Sequence, residues 1–300
     1  MKKILIVGPA SQMLGIKIAK ELDINYYNTE TKTFPDGENY LRINIDNDSL
    51  IEGTEVIIVQ STGPSSSENQ NGRLFELLMM IEAVTRMGAT KIVVVIPYLA
   101  YARQDSVFRP GECKFAQLIL RIIDSMRIDE LYVVDIHSQK ILEEIQCKCV
   151  NIDSMKLLAD YIKSLDVKDI VVVAPDKGAV ERSKAFAKHF GENVPVDYFE
   201  KVRDVKTGEI TMSGKLSLKN KDVVVSDDII ATGGTMANAI RLSKESGANK
   251  VFAVATHALL LQNAKFRIIK AGADEIIGTD SIDNEASKVS LAKAIVDYLK

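Results

Sequence analysis

The sequence predicts an α/β protein built from two similar halves, and three observations carry that prediction. Short β-branched runs alternate with longer segments of helical period along the whole 300-residue chain. Most of these runs are continuously apolar rather than alternating, as parallel strands buried on both faces require. An octet also repeats. Gly88-Ala89-Thr90-Lys91-Ile92-Val93-Val94-Val95 is echoed 159 residues later by Gly247-Ala248-Asn249-Lys250-Val251-Phe252-Ala253-Val254.

In chain order the strands read as Ile4–Val7, Val56–Gln60, Ile92–Ile96, Leu131–Asp135, Ile170–Ala174, Val223–Ser226 and Val251–Ala255. Between the second and third, Gly72–Met87 places Leu74, Leu77, Leu78, Ile81 and Val84 at helical spacing. Each octet follows a helix and opens a strand, with another buried strand upstream at Glu55–Gln60 or Asp222–Asp227. Gly-Ala-x-Lys is by itself a common helix stop before a strand. The matched upstream strands favour a duplicated half. The length suits two domains, 1–147 and 148–283, with a break near Cys147–Asn151 that no Pro/Gly/Ser-rich linker marks.

Composition removes several function classes. Hydrophobic residues make up 46% and charged ones 26%, which is ordinary for a folded globular chain. A net charge of −3, from 38 basic and 41 acidic residues, argues against a nucleic-acid coat protein. The longest apolar stretch, Ile92–Ala102, is broken by Pro97 and falls short of the ~18–20 residues of a membrane helix. Met1-Lys2-Lys3 ahead of Ile4–Val7 resembles a secretory leader only superficially. The run is short and no cleavage pattern follows it, so it reads as a first strand. Cys113, Cys147 and Cys149 are odd in number and suit reduced cytosolic thiols, hence a cytoplasmic protein.

The chemistry-bearing residues cluster at strand ends. Val223-Val224-Val225-Ser226-Asp227-Asp228-Ile229-Ile230-Ala231-Thr232-Gly233-Gly234-Thr235 reads as a strand, two carboxylates, a glycine loop and a helix start. Backbone N–H groups freed by the glycines, with the helix N-terminus, make a cradle for a terminal phosphate. The adjacent acids accept hydrogen bonds from vicinal sugar hydroxyls, or hold a metal through water. A capped helix alone explains neither the acids nor the double glycine. Phe34-Pro35-Asp36-Gly37-Glu38 is a turn carrying an aromatic face and two acids, which taken alone reads as an ordinary Pro-Asp-Gly turn. Arg103, Gln104 and Asp105 follow a buried strand and read either as phosphate, base or ribose contacts or as a solvated strand end. His137 and Asp176 also fall at strand ends, where parallel sheets gather ligands. His189 and His257 read as structural.

Taken in order, these segments resemble the ribose-phosphate diphosphokinase family, the phosphoribosyl-diphosphate synthetases of the type I phosphoribosyltransferase superfamily. The resemblance runs through Phe34–Glu38, Gln60–Thr62, Glu76–Ile81, Pro97–Asp105, Val134–His137, Ala174–Ala179, Lys201–Arg203, Asp227–Thr235 and Ala255–His257. It implies two similar doubly wound parallel-sheet domains of phosphoribosyltransferase type. The first would serve ATP, the second ribose 5-phosphate, and a C-terminal helix in 284–300 would pack back on the first. It implies transfer of the β,γ-diphosphoryl group of ATP to the anomeric hydroxyl of ribose 5-phosphate. Phe34, Asp36, Gly37 and Glu38 would contact ATP from a neighbouring subunit of a homodimer or an assembly of dimers. Arg103, Gln104, Asp105 and His137 would contact it from the resident one. His137 and Asp176 would be associated with Mg²⁺. Asp227, Asp228, Ala231, Thr232, Gly233, Gly234, Thr235 and Arg203 would bind the sugar phosphate. Lys201, Arg203 and His137 would be catalytic, the first two on a mobile polar flap.

Two other classes share parts of this pattern. A phosphoribosyltransferase needs 223–235 but neither 34–38 nor 103–105, and a silent regulatory homologue should lose His137, Lys201 or Arg203. Position 231 is Ala where many bacterial members carry an acid, which weakens any scheme using it as a base. Segment 106–114 also departs from the long bacterial pattern, so weak or absent ADP allostery is expected. Steady-state assays of Lys201→Ala should show turnover lowered by orders of magnitude with ATP affinity largely intact. Near-normal turnover would remove Lys201 from the catalytic set.

Overall fold

Continuous runs of Val and Ile can be buried on both faces only if helices cover both, and each half of the chain solves this the same way. The computed structural model describes residues 2–65, 67–203, 210–213 and 217–300. It divides into two units, Met1–Asp153 with Asp280–Asp283 and Ser290–Lys300, and Ser154–Thr279 with Asn284–Val289.

The first unit runs β1 (Lys3–Val7), α1 (Gln12–Leu22), β2 (Asn25–Thr33), β3 (Asn39–Ile43), β4 (Glu55–Val59), α2 (Gln70–Arg86), β5 (Lys91–Ile96), α3 (Phe115–Ser125), β6 (Glu130–Val134) and β7 (Lys148–Ile152). Its sheet has the order β3-β2-β1-β4-β5-β6-β7, parallel except for the β2–β3 hairpin. Ile4, Ile6, Ile58 and Val94 face Leu77, Met80 and Ile81 of α2.

The second unit runs α4 (Met155–Lys163), β8 (Val171–Ala174), α5 (Val180–Lys188), β9 (Val196–Tyr198), β10 (Glu200–Arg203), β11 (Ile210–Ser213), β12 (Val223–Ile230), α6 (Gly234–Glu245), β13 (Val251–Ala258), α7 (Ala264–Lys270), β14 (Glu275–Thr279) and β15 (Ser287–Val289). Its main sheet has the order β15-β14-β13-β12-β8-β9, parallel throughout, and β10–β11 form a separate antiparallel ribbon.

Taken from β9, this order repeats the connectivity of β2-β1-β4-β5-β6-β7 in the first unit. The octet echo has a local cause. Gly88 and Gly247 both end a helix at positive φ, +84° and +89°. Their N–H groups donate to Thr85 and Lys244, and those of Ala89 and Ala248 reach back to Val84 and Ser243. Each is a Schellman stop, which favours glycine because of the left-handed backbone.

Two boundaries differ from the sequence reading. Residues 148–153 stay with the first unit because β7 pairs along β6, Cys149 opposite Leu131. The C-terminal helix is shorter than expected. Ser287–Val289 pairs with β14 as a strand of the second unit, and only α8 (Ala292–Leu299) belongs to the first. Asp280 starts that return: its carboxylate accepts from the Leu291 N–H and the Ser290 hydroxyl, each at 2.7 Å, and pairs with Lys17 of α1 at 2.8 Å.

A buried ion pair lies beneath the loop that follows β4. Arg73 and Glu76 of α2 are each 3% exposed and meet at 2.8 Å, while fully buried Gln60 donates to Glu76 at 3.0 Å. Glu76→Ala should therefore cost about 3–5 kcal/mol, because it strands a buried guanidinium. Urea unfolding should show that loss, and replacing Arg73 and Glu76 together by Leu should cost much less.

Candidate functional site

Apart from the flap pair and the two acids inside β12, the predicted site residues sit at or beyond the carboxyl end of a strand, but the two units present them differently. In the first unit Phe34–Glu38 is the tip of the β2–β3 hairpin. The Phe34 N–H donates to Glu38 O at 2.8 Å, the Gly37 N–H returns to Phe34 O at 2.9 Å, and Asp36 accepts from the Glu38 N–H at 3.2 Å. Gly37 has φ +93°, which favours glycine there. The whole tip is exposed, with the Lys32 ammonium 4.5 Å from the Phe34 ring centroid. Sequence reading found the turn but not its strands, whose polar residues are largely exposed.

Arg103, Gln104 and Asp105 lie on the loop after β5. Its near part, Tyr98–Ala100 and Ala102, is buried, whereas Arg103 and Gln104 are exposed and Asp105 is half-buried. The Gln104 carbonyl accepts from the Ala116 N–H, and the Asp105 carbonyl accepts from the Gln117 side chain, so α3 holds the loop. His137 is exposed after β6, the neighbouring strand, and the preceding N–H of Ile136 donates to Asn151 at 3.0 Å. Within this sheet β2 and β5 are separated by β1 and β4. That is three strand spacings, about 14 Å. The unit thus brings His137 to the strand beside Arg103–Asp105 and leaves Phe34–Glu38 on a different part of the edge.

In the second unit the acids and the glycine loop form one continuous site. Strand β12 extends to Ile230, so Asp227 and Asp228 lie within it rather than past its end. They are accommodated there because β8 pairs only as far as Val225, which leaves that flank of β12 without a neighbouring strand. The first turn of α5 fills the flank. Ser183, 1% exposed, meets the Ser226 hydroxyl at 3.0 Å, and Arg182 forms an ion pair with Asp228. The Asp228 N–H donates to Asp227 Oδ1 at 2.9 Å. Burial, reinforced by the hydrogen bond and charge of Asp228, pushes the Asp227 carboxyl up to about 8 against the opposing pull of Arg182. Two touching carboxyls, Asp228 buried and Asp227 half-buried, cannot both ionise cheaply, so the pair retains a proton at neutral pH.

Beyond β12, Gly233 begins α6 at φ +70° with no side-chain cap. A Cβ there would stand 3.0–3.1 Å from Ile268 and Ala264 of α7, so both backbone and space require glycine. A Cβ on Gly234 would meet open space. Thr232, Gly234 and Thr235 are exposed and Ala231 is half-buried. Arg267 donates to the Thr232 carbonyl and Leu261 N–H to the Ala231 carbonyl, which ties back the loop oxygens. The uncapped first turn of α6 is a helix N-terminus suited to an anion.

Asp176 is exposed and its Oδ1 caps the short turn Lys177–Ala179, accepting from Gly178 and Ala179 at 2.9 and 3.2 Å. Among the described residues no three His, Cys, Asp or Glu side chains converge as a metal cage. Mg²⁺ characteristically keeps waters and takes one or two carboxylates with substrate phosphates, a mode that the exposed Asp176 carboxylate fits. The His137 imidazole is a softer donor and suits contact through water or phosphate better than direct ligation. Lys201 and Arg203 lie on β10, opposite Met212 and Ile210 of β11; their side chains, and residues 204–209 of the expected flap, lie outside the described structure. Sequence reading missed Arg182 and Arg267, for no motif separates a cationic partner from any other helix-surface arginine.

Residues 3–127 match the N-terminal domain of ribose phosphate pyrophosphokinase, and residues 143–291 match the phosphoribosyl transferase domain. Ribose-phosphate pyrophosphokinases of Methanobrevibacter smithii and Methanosarcina acetivorans are each 38% identical, over 99% of this chain and 99% of theirs. That of Pyrococcus abyssi is 38% identical over 100% of this chain and 98% of its own. The crystal structure of phosphoribosylpyrophosphate synthetase from Mycobacterium smegmatis aligns with a TM-score of 0.86 at 29% identity, covering 100% of this chain and 98% of that one.

The raised Asp227 carboxyl has a stability consequence. Its folded value, about 8, stands above the unfolded 3.8, so its contribution is fully present below pH 4 and is lost as pH rises toward 8. Thermal melts should show Asp227→Asn less pH-sensitive across that window than the parent. At pH 8.5 the variant should melt at least about 3 °C higher.

Proposed function

Because this chain belongs to the ribose-phosphate pyrophosphokinase family, we propose that it transfers the β,γ-diphosphoryl group of ATP to ribose 5-phosphate. The products are 5-phosphoribosyl 1-diphosphate and AMP. The observation that carries the reading is the continuous run of Asp227, Asp228 and the uncapped glycine start of α6. It offers hydroxyl and phosphate recognition on one strand–loop–helix connection.

Asp227 and Asp228 take the 2- and 3-hydroxyls of ribose, and the backbone of Ala231–Thr235 takes the 5-phosphate. Arg103, Gln104, Asp105 and His137 hold the nucleotide. The exposed tip Phe34–Glu38 stacks on and hydrogen-bonds the adenosine of a second copy, so the working unit is at least a homodimer. The anomeric oxygen attacks the β-phosphorus in line and loses its proton to solvent. The bond from that phosphorus to the α-phosphate bridging oxygen breaks, and AMP departs with the electron pair. Positioning and electrostatics do most of the work in such a transfer. Lys201 and Arg203 supply positive charge to the transferring oxygens. Asp176, and His137 through water, would hold Mg²⁺, which would supply positive charge to offset that of the phosphates.

No described helix is long and apolar enough to cross a membrane. Cys147 and Cys149 are free thiols that burial pushes up to about 12 and about 11, which leaves them unreactive. They support our placement of the chain in a reducing cytoplasm.

Phosphorus NMR of the protein with Mg²⁺, ATP and ribose 5-phosphate tests the reaction directly. AMP together with a new sugar diphosphate is expected. ADP as the sole nucleotide product would mean an ordinary kinase and overturn the reading.

A further inference from the structure

Beside the acid pair stands a cation that the reaction scheme leaves unused. The geometry points to Arg182 as a positioning residue that fixes the charge and aim of Asp227 and Asp228, an inference that rests on their role as the ribose-hydroxyl acceptors.

Three features set Arg182 in place. Asp176 caps the turn Lys177–Ala179 and so sets the entry of α5, whose first turn carries Arg182. The next residue, Ser183, is hydrogen-bonded to both the hydroxyl and the carbonyl of Ser226, at 3.0 and 3.3 Å. That clamp pins α5 to β12 one residue before the acids. Arg182 then reaches Asp228 from the flank that β8 leaves open. Its side chain is 26% exposed against 6% for Asp228, so the pair spans the boundary between core and solvent.

The electrostatic consequence follows from the contacts. Asp227 and Asp228 are hydrogen-bonded to each other, and Arg182 of α5, paired with Asp228, favours the ionised form of Asp227 against burial and the neighbouring carboxylate. Ionisation is favoured on the carboxylate that touches the guanidinium, which leaves the proton on Asp227. A pair holding one proton presents both a donor and acceptors, which suits vicinal hydroxyls that themselves donate and accept. Two full negative charges beside a sugar phosphate would repel it, and two neutral acids would accept weakly. Arg182 selects the intermediate state without touching the sugar.

The test compares wild type, Arg182→Gln and Arg182→Lys over pH 6–9.5, with KM measured separately for ribose 5-phosphate and ATP. Arg182→Gln should raise KM for ribose 5-phosphate about tenfold or more, with KM for ATP changing less than about threefold (tenfold corresponds to about 1.4 kcal/mol). The acid limb of kcat/KM for ribose 5-phosphate should move upward by about one pH unit, because carboxylate ionisation loses its cation. Arg182→Lys should restore much of both effects. An unchanged pH limb in the Gln variant, or identical behaviour of the Lys and Gln variants, overturns the inference. If Arg182→Gln does not fold, the Lys variant decides: a limb and KM close to wild type support a charge role, and Gln-like loss of sugar affinity overturns it. A wild-type protein that forms no sugar diphosphate would instead overturn the functional reading.

Discussion

Parallel strands buried on both faces leave no room for ligand chemistry along their length, and that constraint organises both units. β4 beyond Glu55, β5 beyond Lys91, β8 and Val223–Val225 of β12 are apolar and buried. Polar groups are therefore confined to strand ends, where the backbone turns into a loop or a helix N-terminus. Asp227 and Asp228 are the informative exception. They lie inside a strand, but only where its neighbour β8 has already ended. The missing strand makes space for carboxyl groups, and α5 supplies the hydroxyl and guanidinium that satisfy them.

The two units show how one connectivity is turned to different ends. After β4, a long loop leads to α2, whose first turn is closed by the Asn69 side chain accepting from Asn71 and Gly72. The space beneath that loop holds the Arg73–Glu76 pair, whose arginine also donates to Ser65 and Ser67. After β12, a short loop leads to α6 through Gly233 with no side-chain cap. The first solution satisfies the helix start internally, and the second leaves the start of α6 without a side-chain cap. What differs is the loop, not the scaffold.

Holding two carboxyls in contact is a cost that the second unit carries. Desolvation and mutual repulsion both oppose ionisation, and Arg182 offsets only part of this. An apolar pair at these positions would not carry that desolvation cost. Local instability of this kind is expected where a fold serves a ligand rather than its own core.

The sequence by itself determined the α/β class, the two-fold repeat, most strand positions and the glycine–acid motif. Each is written in local pattern: apolar runs, Schellman glycines, and turn residues whose backbone needs are intrinsic. It also placed Asp176, His137 and Arg103–Asp105 at strand ends, because loop position follows from strand position. Only tertiary structure decided what spatial neighbours control. β7 joined the first sheet and Ser287–Val289 became a strand through pairing with partners far away in sequence. Arg182 became a partner of Asp228 because two serines 43 residues apart clamp α5 to β12. Periodicity reports the face a residue presents to the core, but not which distant side chain meets it there. For that reason the glycine–acid motif was legible in the chain, and the arginine that pairs with it was not.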